Sequence, residues 1–180
     1  MNYVTQPAFY NAMDYKQIVE MTVKPIDYSI FKEDSDELSV EETLFKSFLK
    51  VVQGGCDDSD TVQLGVRYHW HTSTKYSSDY FLWKMVSQEL IDLTTVQGLR
   101  EAYARLAYIL AAVKLQSNGE EGVLTTDTTG NFFGWFRMPD KQWVSVLVRW
   151  SEDHKKWCFV GWYNHVRFPG YQYLSRYSSQ

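Results

Sequence analysis

Cysteine is scarce: Cys56 and Cys158 are the only two in 180 residues, far apart and outside any CxxC pair. A disulfide framework and a standard zinc knuckle are therefore excluded, and a reducing, cytoplasmic setting is expected. Proline and glycine are also sparse, at 4 and 10 residues, while 17% of the chain is aromatic. That balance rules out collagen-like and disordered compositions. Long apolar runs are missing as well. The most apolar window, Leu106 to Val113, is bounded by Arg105 and Lys114, far short of the ~20 residues a bilayer requires. Residues 1–14 show no basic stretch leading into an apolar one, so neither a secretory leader nor a membrane partner is expected. GxGxxG, GxxxxGK(S/T) and GxSxG are all absent, and Asp127-Thr128-Thr129-Gly130 carries one Thr too many for an aspartic-protease turn. No cofactor and no catalytic residue is expected from motifs of these kinds.

What is present suits a single compact domain, 1–180, since a chain of this length buries ~70% of its extended-state surface. Pro7 can open a helix, and Phe9, Ala12, Met13, Ile18 and Met21 recur at helical spacing, predicting a helix over 7–21. Ile26, Tyr28 and Ile30 alternate as in a short strand. Ser39 followed by Glu42 is a capping box. It opens a helix whose stripe is Val40, Leu44, Phe48 and Val52, with Gly54-Gly55 available to end it in a left-handed turn. Thr61 to His71 alternates without a break and predicts a half-buried strand. Further helices are expected over 80–92 and, from a Thr94/Gln97 capping box, over 94–116.

Residues 131–138, 142–150 and 156–164 are strand-length and rich in Phe, Trp and Val, with short polar connections, the pattern of an antiparallel meander. The tail from Tyr171 is expected to fray or to dock by its tyrosines. The fold expected is α+β: four or five helices packed on a C-terminal antiparallel meander, with 61–71 as one additional long strand.

Charge is small in sum and uneven in place. Residues 1–60 hold 12 acids and 5 bases, whereas residues 61–180 hold 10 acids and 13 bases. Two acidic clusters, Glu33, Asp34, Asp36 and Glu37 and then Asp57, Asp58 and Asp60, flank the helix opened by Ser39. A surface of that kind steers and orients a basic partner. With Trp135 and Arg137 as expected aromatic and basic anchors, the leading expectation is a non-enzymatic protein that blocks a basic surface of another protein, such as a nuclease or other nucleic-acid-binding protein. In type it is similar to immunity proteins and phage-borne inhibitors. A chain of net charge −4 fits local blocking better than wholesale mimicry of a nucleic acid.

Two other readings have residues behind them. His69 and His71, two apart on a strand, project to one face and are weak metal candidates, with Arg67 on that face opposing a cation. They could instead stand at the mouth of a small-molecule or enzymatic pocket between the helices and the aromatic sheet. The second reading concerns residues 131–180, which hold 14 of the 30 aromatic residues and seven bases against three acids. Such a sheet can stack unpaired bases of a single-stranded nucleic acid, with Phe133, Trp135 and Arg137 expected on one face of the first strand. The acidic pI of about 5.5 opposes that reading.

Overall fold

The computed structural model describes residues 13–21, 26–31, 38–56, 66–73, 90–127, 129–163 and 170–176. These build an α+β fold in which two α-helices, α1 (Val40–Gly55) and α2 (Val96–Leu115), cover one face of a mixed sheet. Its strands are β1 (Met13–Met21), β2 (Val66–Ser73), β3 (Ile91–Asp92), β4 (Asn131–Arg137), β5 (Trp143–Ser151), β6 (Lys156–Trp162) and β7 (Gln172–Arg176). The order across the sheet is β1-β2-β7-β4-β5-β6, with β3 beside β4. Fewer helices are therefore seen than the four or five expected. The helix expected over 80–92 falls mostly outside the described residues, and its last two residues form β3.

Both helices start where a side chain accepts from an otherwise unpaired backbone N–H. The Ser39 hydroxyl accepts from the Glu42 N–H at 3.1 Å and donates to the Glu42 carboxylate. In α2 the cap is Thr95, one residue later than expected, accepting from the Gly98 N–H at 2.9 Å. Leu44, Phe45, Phe48, Leu49 and Val52 form the buried stripe of α1. In α2 every residue from Glu101 to Ile109 is buried, as suits a helix apolar on nearly every side. No described helix is long and apolar enough to cross a membrane. Gly54-Gly55 do not turn left-handed: the helix runs through Gly55 into an extended Cys56. Gly119, beyond α2, does adopt a positive φ of 74°, and a side chain there would strike the Trp150 ring.

The meander β4-β5-β6 is antiparallel as expected, and its two tight connections place Lys141 and Lys155 at positive φ. Three expectations fail. Residues 13–21 form β1 rather than a helix; they pair antiparallel with β2, and a bulge between Tyr15 and Ile18 interrupts the alternation that would have marked a strand. Residues 28–31 form a single 3-10 turn, not a strand. Residues 172–176, expected to fray or dock, form β7 in the middle of the sheet, antiparallel to β2 and parallel to β4.

That inserted strand is held by buried polar side chains. Gln172 Nε2 donates to the Val123 carbonyl at 2.7 Å and to Asn131 Oδ1, while Asn131 Nδ2 donates to the carbonyls of Val148 and Thr125. β7 pairs with residues 131–132 of β4 and β3 with residues 136–137. Between those stretches β4 lacks a described strand neighbour on that side. Arg105 of α2 fills the gap, donating from Nη1 to the carbonyls of Phe133 at 3.1 Å and Leu174 at 3.0 Å. Its Nε meets Glu101 at 3.3 Å one helical turn back, and its guanidinium lies 5.6 Å from the centre of the Tyr68 ring. A buried cation is thus satisfied by carbonyls, a carboxylate and a ring face.

Candidate functional site

Strand alternation sends Tyr68, Trp70, Leu174, Val144, Val146 and Val148 toward the helices, where with Phe48, Tyr108 and Ile109 they make the main core. The layer between helices and sheet is therefore occupied. His69 and His71 turn to the opposite face, so the pocket expected between helices and sheet does not include them. Neither is partly exposed: both are 1% accessible. Their rings meet at 4.4 Å between centroids, near-perpendicular at 67°. Burial pulls the His69 imidazole down from 6.5 to about 4, so it is neutral at pH 7.

Beside them in register stand residues of β7: Ser175 opposite His69 and Tyr173 opposite His71. Tyr173 is stacked between two rings of β4, 4.9 Å and 4° from Phe132, and 5.6 Å and 8° from Trp135. Trp162 and Tyr171 extend this ladder at 5.4 and 5.7 Å from Phe132. Leu147 and Val160 complete the cluster, with Trp143 against its margin. Ser145 and Ser175 are likewise buried. The second face of the sheet thus concentrates two imidazoles, two phenols and two hydroxyls among stacked rings. The imidazoles and the serine hydroxyls are enclosed, and the His69 imidazole takes up a proton only in acid.

The bulge between Phe132 and Gly134 decides which aromatics belong here. Phe133 packs in the main core, while Phe132 and Trp135 lie on the other side. Phe133, Trp135 and Arg137 therefore do not share one face as alternation alone predicts. Trp135 is 3% accessible, so its ring is packing material and offers no open contact surface. Arg137 is partly exposed and pairs with Asp92 at 3.7 Å. The Asp92 carboxyl is held below its usual range, first by hydrogen bonds from Thr94 and then by Arg137. Glu33, Asp34, Asp36, Glu37, Asp57, Asp58 and Asp60 lie outside the described residues, as does the Arg67 side chain. Among the described residues no group of three or more His, Cys, Asp or Glu is placed to hold a metal ion, so His69 and His71 gain no third ligand there.

One feature escaped the sequence. The 3-10 turn and α1 leave between them an open groove of about 320 Å³, lined by Tyr28, Ser29, Phe31, Lys46, Leu49, Lys50 and Gln53. Tyr28 and Phe31 stand three residues apart, a helical spacing hidden inside a segment that alternates like a strand. Comparisons with protein-family models, with curated proteins and with solved structures give no match.

Proposed function

We propose that the protein acts by binding another protein, docking its acid-rich N-terminal third onto a basic surface of that partner and obstructing it. The observation that carries the reading is a juxtaposition. Glu33, Asp34, Asp36 and Glu37 are bracketed in the chain by two large apolar side chains left outside the core, Ile30 at 52% and Val40 at 73% accessible. Apolar anchors beside a dense charge are what a specific, electrostatically guided interface needs, the anchors supplying residence and the carboxylates orientation and rate. Glu41, half-exposed in the first turn of α1, pairs with Arg149 at 3.6 Å and so adds little net charge beyond the cap. Because Trp135 is enclosed, the contact rests on this N-terminal region rather than on the aromatic sheet. A reducing cytoplasm belongs to the same proposal, with Cys56 and Cys158 not joined in a disulfide.

The test is retention of a partner from native-host extract on immobilised protein. One stoichiometric partner should be held at low ionic strength and released by salt. Glu33, Asp34, Asp36 and Glu37 all changed to Lys should lower the association rate at least ten-fold, and Ile30→Ser/Val40→Ser should speed dissociation, each at an unchanged melting temperature. A partner held equally well by all these variants would end the proposal.

A further inference from the structure

We infer that the groove between the 3-10 turn and α1 is a binding site for a small amphipathic anion: an apolar or aromatic body carrying one acidic group. Its shape is set by packing on both sides. Ile26 is tied down by its N–H donating to the Tyr103 hydroxyl at 3.0 Å, and the turn closes through the Ile30 N–H onto the Asp27 carbonyl. Phe31 then wedges against Phe45 at 5.5 Å and Phe159 at 5.2 Å. The turn is therefore fixed by the core and stands off from the outer surface of α1, leaving a preformed space of about 320 Å³. That is at the small end of the ~300–1,000 Å³ typical of ligand pockets.

The lining states the chemistry. Tyr28, Phe31 and Leu49 supply apolar walls, and Lys46 and Lys50, one helical turn apart, supply one rim. Lys50 is exposed and has no ion pair among the described residues. Among the described residues no carboxylate lines the space; the adjacent Asp27 turns its Oδ1 to the N–H and hydroxyl of Ser29. The Lys50 stem can lie along an apolar ligand while its ammonium group meets the acid. The site does not depend on the acidic docking region and would stand if that reading fell.

The probe is 8-anilinonaphthalene-1-sulfonate, compared with N-phenyl-1-naphthylamine, which carries the same ring systems without the sulfonate. In low salt the sulfonate dye should bind one per chain and more tightly than the uncharged dye. Lys50→Gln should weaken it about three-fold and Lys50→Glu about ten-fold, with the uncharged dye unmoved. Ser29→Trp, an exposed site beside the groove, should exclude both dyes at an unchanged melting temperature. Equal affinity for the two dyes, indifference to Lys50, or full binding to Ser29→Trp would each overturn the inference. The first outcome would make the groove a seat for an uncharged apolar anchor of a partner instead.

Discussion

Arg105→Ala strips a cation from the middle of α2 and takes a donor from the Phe133 and Leu174 carbonyls and from the Glu101 carboxylate, which is itself buried. Removing one partner of a buried ion pair costs ~3–5 kcal/mol. Each buried acceptor left without a donor costs a further ~1 kcal/mol or more, overlapping with the first figure because the groups share one site. A loss of about 4 kcal/mol is a large share of the ~5–15 kcal/mol that holds a domain together. With a urea dependence of ~2 kcal/mol per molar, the unfolding midpoint should fall by about 2 M, followed by tryptophan fluorescence and circular dichroism. Arg105→Lys keeps the charge but not the fork that spans two carbonyls and a carboxylate, and should lose about half as much. Arg105→Met/Glu101→Met also removes the buried carboxylate that faced Arg105 and should regain about 2 kcal/mol, the rest of the deficit belonging to the two carbonyls. An Arg105→Ala midpoint within about 0.5 M of the parent would refute the view that this side chain closes the gap in the sheet.

Three other outcomes are expected. Because burial holds the folded-state pKa of His69 near 4, against an ordinary 6.5, the unfolded chain takes up the proton first as pH falls. The stability this neutral histidine contributes is intact above about 6.5 and is lost between there and 4, by on the order of 1–3 kcal/mol; urea midpoints measured across that range should show a component that His69→Gln abolishes. Trp135→Ala should lower stability by ~3–5 kcal/mol in thermal or urea unfolding, because the ring is packed on Tyr173 and not held out to solvent. In Gly98→Ala the new Cβ would strike the Asp92 carbonyl oxygen, forcing the start of α2 away from β3. A cost of ~1–3 kcal/mol should appear as a melting-temperature drop of ~2–4 °C per kcal/mol.

How much of this is legible in the sequence depends on the range of the interaction that decides each element. Ser39 with Glu42, the α1 stripe from Leu44 to Val52, the all-round burial of α2 and the meander are written in neighbours a few residues apart and appear where expected; Val40, expected on that stripe, lies exposed instead. β1 and the face assignment of Phe133 go astray for one shared reason: a bulge inserts a residue, shifts the phase of alternation and hides a period of two. β7 goes astray for another. Its five residues, Gln172 to Arg176, carry no local signal, and Gln172 becomes a central-strand residue because Asn131 and Val123, some 40 and 50 positions away, receive its amide. At the candidate sites, the shared face of His69 and His71 follows from alternation, but their burial and their place beside Tyr173 require β7. The groove requires a 3-10 turn that alternation conceals. The acidic run is plain in the sequence, and of its surroundings Ile30 and Val40 gain meaning only once their exposure is known.

The place of β7 also sets an order of events at the ribosome. The pair β1–β2 and the group β3–β6 can each gather as soon as they emerge, yet they are joined through a strand that is translated after all of them. Until residues 172–176 clear the exit tunnel, the pairings of β7 with β2 and with the start of β4 cannot form, and those backbone edges wait for the strand that joins them in the folded sheet. Synthesis of β7 is then the step that can join the two groups of strands into one sheet.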